Sequence, residues 1–182
     1  MKPTLERYAP TAIALHWLIA LLILVTLPLG LYMSDLPLSP YKLKLYSWHK
    51  WIGITVLMLA IFRVLWRASH TPPRLSDLTP RWQRIASNAV HILLYVLLFA
   101  IPLSGWLMSS AKGVQTVWFG VVPLPDLVGK DKALGELLTT VHGTLNYILM
   151  GLIVIHIAAA IKYHFIDRDA TLRRILPFGK GI

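Results

Sequence analysis

Two histidines, His142 and His156, lie fourteen residues apart within one strongly apolar stretch of the chain. On an α-helix this spacing makes almost four turns, so both imidazoles share a face and lie about 21 Å apart along the axis. A helix that crosses the hydrocarbon layer spans roughly 30 Å, which places one histidine near each membrane face. Ionisable side chains inside a membrane are costly and by default indicate function.

Two more histidines, His16 and His49, enter other apolar segments close to the ends of those segments. Imidazole is a usual axial ligand of haem iron, and helix bundles build cofactor sites from side chains on facing helices. The alternative for any single one of them is a hydrogen bond to a neighbouring helix or a position along a proton path. Four imidazoles at two depths favour two six-coordinate haems stacked across a bilayer.

The composition favours a membrane protein over a soluble one. Of the 182 residues 56% are apolar and only 14% are charged, whereas soluble domains carry about 25% charged residues. The length suits one domain. The chain has no cysteine, which excludes disulfides, iron–sulfur ligation, thiolate catalysis and the C-x-x-C-H attachment of haem. Any haem is therefore expected to be held without a covalent bond.

The net charge of +10 would suit a protein that binds nucleic acid. The charges flank the apolar segments rather than forming one basic face, so we expect membrane topology to explain them and predict no nucleic-acid partner. The sequence contains neither a G-x-x-x-x-G-K-[ST] phosphate loop nor an H-E-x-x-H zinc helix.

The apolar pattern predicts an all-α fold, an integral membrane four-helix bundle. The predicted spans cover residues 12–33, 46–68, 84–108 and 138–163. The first span is predicted to be a mature helix rather than a cleaved signal peptide, because its apolar run is too long and cleavage would remove His16.

The segments between the spans have different characters. Residues 34–45 form a short, proline-containing connection, as expected between antiparallel neighbours. Residues 67–84, which include Pro72 and Pro73, are predicted to form a polar hairpin loop. The longest connection, 111–137, is expected to lie across the mouth of the bundle with its aromatic side chains in the membrane interface.

Lysine and arginine are unevenly divided between the two ends of the predicted bundle. Twelve of the eighteen lie on the side that holds both chain termini, so the positive-inside rule predicts that both termini are cytoplasmic. This orientation places His16 and His156 near the cytoplasmic face and His49 and His142 near the outer face. Two histidine pairs at two levels follow from the residues alone.

Glycines occur at the spacing that separates the two levels. Gly30 lies fourteen residues after His16, and Gly105 lies fourteen residues after His91. A glycine at the outer level would allow a porphyrin plane to approach the helix backbone closely. Small residues also pack membrane helices in general, which is the alternative.

Arg63 follows His49 by the same fourteen residues and is therefore expected at the inner level. From there its guanidinium could form charge-assisted hydrogen bonds with the propionate of an inner haem. The alternative is that the side chain snorkels to the lipid headgroups.

Short motifs follow one another along almost the whole chain: Leu15-His16-Trp17, His49-Lys50-x-x-Gly53, Arg63-x-x-Trp66-Arg67, His91-x-x-x-Tyr95, Pro102-x-x-Gly105, His142-Gly143, His156 and His164-Phe165-x-x-x-Asp169-x-Thr171-Leu172. With these motifs in this order the chain resembles the bacterial cytochrome b561 family of small four-helix dihaem membrane proteins. The resemblance implies a single transmembrane cytochrome b domain over residues 1–182, in the bacterial inner membrane.

The resemblance also implies the cofactors and their ligands. It implies two b haems, one ligated by His16 and His156 and the other by His49 and His142. It implies electron exchange with ubiquinone and, for some members, oxidation of superoxide at the outer side. Where related chains often carry a His-His pair before the tail, this chain has Tyr163-His164.

Two histidines have open roles. His91 is predicted to be level with His16 and His156, where it would replace one of them as ligand, support the inner haem, or bond a quinone carbonyl. The family resemblance favours a role other than ligand. His164 at the inner interface would contact quinone or propionate, or be a solvated residue of the tail.

Two classes of function stay open. The first is a redox enzyme that connects a donor at one membrane face to quinone, as a superoxide:ubiquinone oxidoreductase would. The second is non-catalytic: an electron-transfer anchor for a periplasmic redox protein or, without haem, a small transporter. The lysine excess of the outer loops would suit the steering of a small anion, although it is equally typical of soluble loops. The oligomeric state does not follow from the sequence.

Overall fold

The chain forms a bundle of four long antiparallel helices. The computed structural model describes residues 7–70, 80–169 and 171–177. Its elements are α1 (Pro10–Asp35), α2 (Pro40–Ser69), α3 (Arg81–Ala111), β1 (Val117–Trp118), β2 (Val122–Pro123), α4 (Lys132–Phe165) and α5 (Thr171–Ile175). The four long helices have the length and apolar composition needed to cross a membrane. The prediction of an all-α membrane four-helix bundle is confirmed.

The connection between α1 and α2 is shorter than predicted. α2 begins at Pro40, and the hydroxyl of Ser39 caps it by accepting a hydrogen bond from the backbone N–H of Lys42 at 3.2 Å. Serine at the cap and proline in the first turn both favour a helix start. Residues 36–39 alone separate the two helices, so the boundaries 34–45 were wrong.

The connection between α3 and α4 is also shorter than predicted. α4 begins at Lys132, where the Asp131 side chain accepts a hydrogen bond from the backbone N–H of Leu134 at 3.0 Å. The segment before it contains a small antiparallel pair of strands, in which Val117 lies opposite Pro123. Two-residue strands are too short to leave a periodic signal in the sequence.

The segment 112–131 lies across one end of the bundle, as predicted. The indole N–H of Trp51 in α2 donates to the carbonyl of Val117 at 2.7 Å. The indole N–H of Trp118 donates in return to the hydroxyl of Thr55 at 3.2 Å. These two bonds fasten the strand pair to α2. We call this end of the molecule, which also carries the α1–α2 connection, the loop end.

The opposite end, called here the terminal end, carries both ends of the described chain. The indole N–H of Trp17 in α1 donates to the carbonyl of Ile175 at 2.8 Å, and the backbone N–H of Tyr8 donates to the carbonyl of Arg174 at 3.4 Å. The short helix α5 therefore packs back against the start of α1. The predicted loop residues Pro72 and Pro73 lie outside the described residues.

Few side chains of the long helices are buried. Between 6% and 22% of the most apolar window of each long helix is buried, and no large side chain among the described residues is fully buried. The closest packing joins α3 with α4, α1 with α2, and α2 with α3. In the described part of the chain, α4 packs closely against neither α1 nor α2. The structure thus leaves space between these helices.

Candidate functional site

Two pairs of histidines face each other across this space. At the loop end, the ring centres of His49 in α2 and His142 in α4 are 6.2 Å apart, with the ring planes at 82°. At the terminal end, the ring centres of His16 in α1 and His156 in α4 are 6.3 Å apart, with the planes at 64°. The structure brings together the residues of both predicted pairs, at opposite ends of the bundle.

The spacing within each pair fits two imidazoles that share one metal ion. A metal–imidazole bond measures about 2.0 Å and a ring nitrogen lies about 1.1 Å from the ring centre, so rings on opposite sides of one ion have centres about 6 Å apart. Directly hydrogen-bonded rings, with about 2.9 Å between nitrogens, would have centres about 5 Å apart. Both pairs have the longer of these two distances.

The number of ligands fits haem better than a bare metal ion. Among the described residues, no group of three or more histidine, cysteine, aspartate or glutamate side chains is arranged to hold one ion. Two imidazoles alone leave most coordination positions of an ion open. A haem iron needs only axial ligands from the protein, since the macrocycle supplies the others.

An apolar cleft adjoins the loop-end pair. It is lined by both histidines of that pair. All four long helices contribute to its walls, among them residues Thr26 of α1, Gly53 of α2 and Leu97 of α3. Pockets that take cofactors and other small molecules are mostly apolar. The cleft therefore has the chemistry that suits an apolar macrocycle.

Each loop-end histidine is hydrogen-bonded through its Nδ1 atom. Nδ1 of His49 lies 3.1 Å from the hydroxyl of Thr26. Nδ1 of His142 lies 3.0 Å from the hydroxyl of Ser104 and 3.1 Å from the carbonyl oxygen of Ile101. Sequence reasoning missed both hydroxyl residues. The available signal in the sequence was a hydroxyl residue within each apolar helix. Thr26 lies four residues before Gly30, and Ser104 lies next to Gly105.

The two predicted glycines lie against these same rings. A Cβ at Gly30 would come 3.0 Å from Cε1 of His49, and a Cβ at Gly105 would come 3.1 Å from Cε1 of His142. The close approach that only glycine permits is therefore made by an imidazole. Contact of either glycine with a porphyrin plane stays a prediction.

Arg63 turns into the bundle near its terminal end. Its Nε donates to the hydroxyl of Tyr95 in α3 at 3.0 Å, and its Nη1 donates to the carbonyl of Ala12 in α1 at 3.2 Å. The guanidinium of Arg67 lies 5.7 Å from the ring centre of the same tyrosine. The half-buried Arg63 thus connects α1, α2 and α3. This position favours an interior role for its charge over snorkelling to the headgroups.

The remaining two candidate histidines lie towards the terminal end. The ring centre of His91 is 5.4 Å from that of His156, with the planes at 71°. Nδ1 of His164 is buried and has no hydrogen-bond partner among the described residues. The ring of His164 packs edge-on against Phe165, with the centres 4.7 Å apart.

Paired histidines on facing helices of a membrane bundle are the arrangement with which helix bundles build cofactor sites. The family model for prokaryotic cytochrome b561 matches residues 7–178 of this chain. The chain therefore belongs to the prokaryotic cytochrome b561 family.

Curated relatives cover almost the full chain. Cytochrome b561 homolog 2 of Escherichia coli is 37% identical over 174 residues, which is 95% of this chain and 93% of the relative. Cytochrome b561 homolog 1 of the same organism is 29% identical over 174 residues, which is 95% of this chain and 98% of that relative. The probable superoxide oxidase CybB of Yersinia pestis is 27% identical over 185 residues, which is 97% and 99% of the two chains.

Family membership establishes the general role of the protein. It is a multi-pass protein of the bacterial inner membrane that takes part in electron transfer, and its family uses b-type haem. The family interacts with quinones or with redox partners.

Proposed function

We propose that this protein holds two non-covalent b haems and moves electrons across the inner membrane to or from ubiquinone. The observation that carries the proposal is the presence of two histidine pairs with ring centres 6.2 and 6.3 Å apart near opposite ends of one bundle. We take residues 1–182 as a single transmembrane cytochrome b domain. One haem near each membrane face gives electrons a route across a layer that charges cross only at high cost.

The ligands of the loop-end haem in this proposal are His49 and His142. Those of the terminal-end haem are His16 and His156. His91 is a poorer partner for His156, because a centre-to-centre distance of 5.4 Å is shorter than the roughly 6 Å that two rings on one ion require. We therefore assign His91 a supporting role beside the terminal-end haem or its electron acceptor.

We propose that the terminal end faces the cytoplasm and the loop end faces the periplasm. The sequence predicts twelve of the eighteen lysines and arginines on the side that holds both termini, and the positive-inside rule sets orientation from such an excess. The loop-end haem is then the one that meets periplasmic electron donors.

Bound haem would supply reversible one-electron chemistry that no side chain of this chain offers. The protein would supply the histidine nitrogens that hold the haem, an apolar space and the positive charge of Arg63. Arg63, held by Tyr95 and Ala12, is placed to pair with a haem propionate through charge-assisted hydrogen bonds. Gly30 and Gly105 keep room for the two loop-end imidazoles.

Ubiquinone, being apolar, reaches such a bundle through the lipid. The buried Nδ1 atom of His164 has no partner in the described residues, and His91 lies at the same end of the molecule. Either imidazole can donate a hydrogen bond to a quinone carbonyl. We therefore place the quinone site at the terminal end. Reduced protein in liposomes should lose its haem α-band absorption when ubiquinone is added, and persistent reduction would refute quinone exchange.

Superoxide is the electron donor that we propose at the loop end. The supporting observations are the superoxide oxidase name of one relative and the six lysines predicted on that side. An excess of positive charge around a site steers small anions towards it. A dedicated periplasmic redox protein, with this chain as its membrane anchor, is the competing function.

A further inference from the structure

The two loop-end imidazoles are oriented by the same arrangement of neighbours. The hydroxyls of Thr26 and Ser104 both meet an Nδ1 atom, at 3.1 Å and 3.0 Å. The Nδ1 atom is also the nearer ring nitrogen to each cradling glycine, at 3.4 Å from the Cβ position against 3.9 or 3.8 Å for Nε2. The Nδ1 edge of each ring therefore faces the partner helix of its own hairpin, and Nε2 lies farther from that helix.

The network around His142 determines which nitrogen carries the proton. The hydroxyl of Ser104 donates to the carbonyl of Ile101 at 2.8 Å, which uses its only proton. The Ser104 oxygen can then only accept a hydrogen bond from the imidazole. The carbonyl of Ile101, which lies 3.1 Å from Nδ1 of His142, is also an acceptor. An unprotonated Nδ1 would face two acceptors, which is unfavourable. Nδ1 of His142 is therefore the donor, and Nε2 keeps the lone pair that a metal requires.

The network around His49 is simpler. Its Nδ1 meets the Thr26 hydroxyl, and a hydroxyl can donate or accept. If Thr26 donated, the ring proton would have to lie on Nε2, and this nitrogen would then be unable to bind a metal. A metal-binding His49 therefore requires Thr26 to act as acceptor. The backbone carbonyl of Thr26 also lies within hydrogen-bonding reach of the His49 imidazole, as that of Ile101 does for His142.

We propose that Thr26 and Ser104 are positioning residues for the loop-end haem, in which each hydroxyl accepts the Nδ1 proton of one histidine ligand. This inference rests on the proposed function, because it takes His49 and His142 as the ligands.

A hydrogen bond from the second ring nitrogen fixes the orientation of a metal-binding histidine and raises its basicity. A more basic ligand stabilises the oxidised iron relative to the reduced iron. Loss of the acceptor should therefore make the loop-end haem easier to reduce. Such outer partners commonly change metal affinity or activity by about 10–100-fold. We expect up to about a tenfold shift of the reduction equilibrium, about 59 mV for one electron.

The test compares Thr26→Val, which keeps the side-chain shape without the hydroxyl, with Thr26→Ser, which keeps the hydroxyl. Haem content, the midpoint potentials of both haems and the low-spin electron paramagnetic resonance signals are measured on purified protein. We expect Thr26→Val to raise the potential of the loop-end haem and shift its resonance signal, with the other haem unchanged. Thr26→Ser should restore wild-type values, and Ser104→Ala should shift the potential of the loop-end haem in the same direction as Thr26→Val.

Loss of the loop-end haem in Thr26→Val together with its retention in Thr26→Ser would also support the proposal. Unchanged potentials and signals in both Thr26→Val and Ser104→Ala would overturn it, as would equal haem loss in Thr26→Val and Thr26→Ser. The proposed function fails separately, if His49→Ala and His142→Ala each leave the spectrum of the loop-end haem as it is in the wild type.

Discussion

The imidazole of His49 lies directly against Gly30 of the preceding helix, with Cε1 3.0 Å from the position of a Cβ on that glycine. His142 and Gly105 repeat this contact at 3.1 Å in the second helical hairpin. In each hairpin the first helix thus provides a glycine and a hydroxyl, and the second helix provides the histidine. The loop-end site is built from two similar halves.

Alanine at Gly30 should disturb the loop-end haem. The added methyl group would lie 3.0 Å from Cε1 of His49, so the ring would have to shift by a few tenths of an ångström. We expect Gly30→Ala to lower the occupancy of the loop-end haem or to change its low-spin spectrum. Pyridine haemochrome assay and electron paramagnetic resonance measure both effects.

Gly151→Ala is the matched control, because Gly151 is exposed on α4 and a Cβ there would meet nothing within 4 Å. It should bind haem as the wild type does. Wild-type haem content and spectrum in Gly30→Ala would show that the ring does not need this space.

Removal of the positive charge at Arg63 should lower the potential of the terminal-end haem. A cation favours the reduced state of a nearby haem, and at distances of about 8–15 Å with an effective dielectric constant of about 20 the interaction is about 1–2 kcal/mol. Redox titration of Arg63→Gln should show this fall, whereas Arg63→Lys should retain most of the wild-type potential. An unchanged or raised potential in Arg63→Gln would show that the charge of Arg63 does not stabilise the reduced terminal-end haem.

Superoxide steering predicts a salt-dependent rate. The second-order rate of haem reduction by superoxide should fall as ionic strength rises, because screening shortens to about 8 Å at physiological salt. Joint replacement of Lys42, Lys44 and Lys132 by glutamine should weaken that dependence. Slow reduction that is indifferent to salt would instead favour a dedicated protein donor.

The sequence predicts the four spans well because lipid demands long apolar helices with all backbone groups bonded internally. It also predicts which histidines lie at the same end of the bundle, since rise per residue converts spacing into depth. Helix starts were predicted late, although Ser39 and Pro40 carried a cap signal. Apolar content is a weaker guide to helix ends than capping residues are.

The hydroxyl partners could not be predicted in the same way. Thr26 and Ser104 are ordinary residues for membrane helices, where hydroxyls commonly bond to the backbone of their own helix. Their meeting with His49 and His142 depends on the rotation of each helix about its axis. Packing between helices sets that rotation. The rotation therefore cannot be predicted from the spacing of residues along one helix.

Haem analysis of single histidine variants tests the central claim most directly. The wild type should contain two low-spin b haems that acid–acetone extracts from the polypeptide. His49→Ala and His142→Ala should each remove the same one of the two spectral components, and His16→Ala and His156→Ala should each remove the other. His91→Ala should keep both haems six-coordinate. One haem per chain in fully loaded wild type would contradict the account, as would loss of the terminal-end haem in His91→Ala while His16→Ala keeps it six-coordinate.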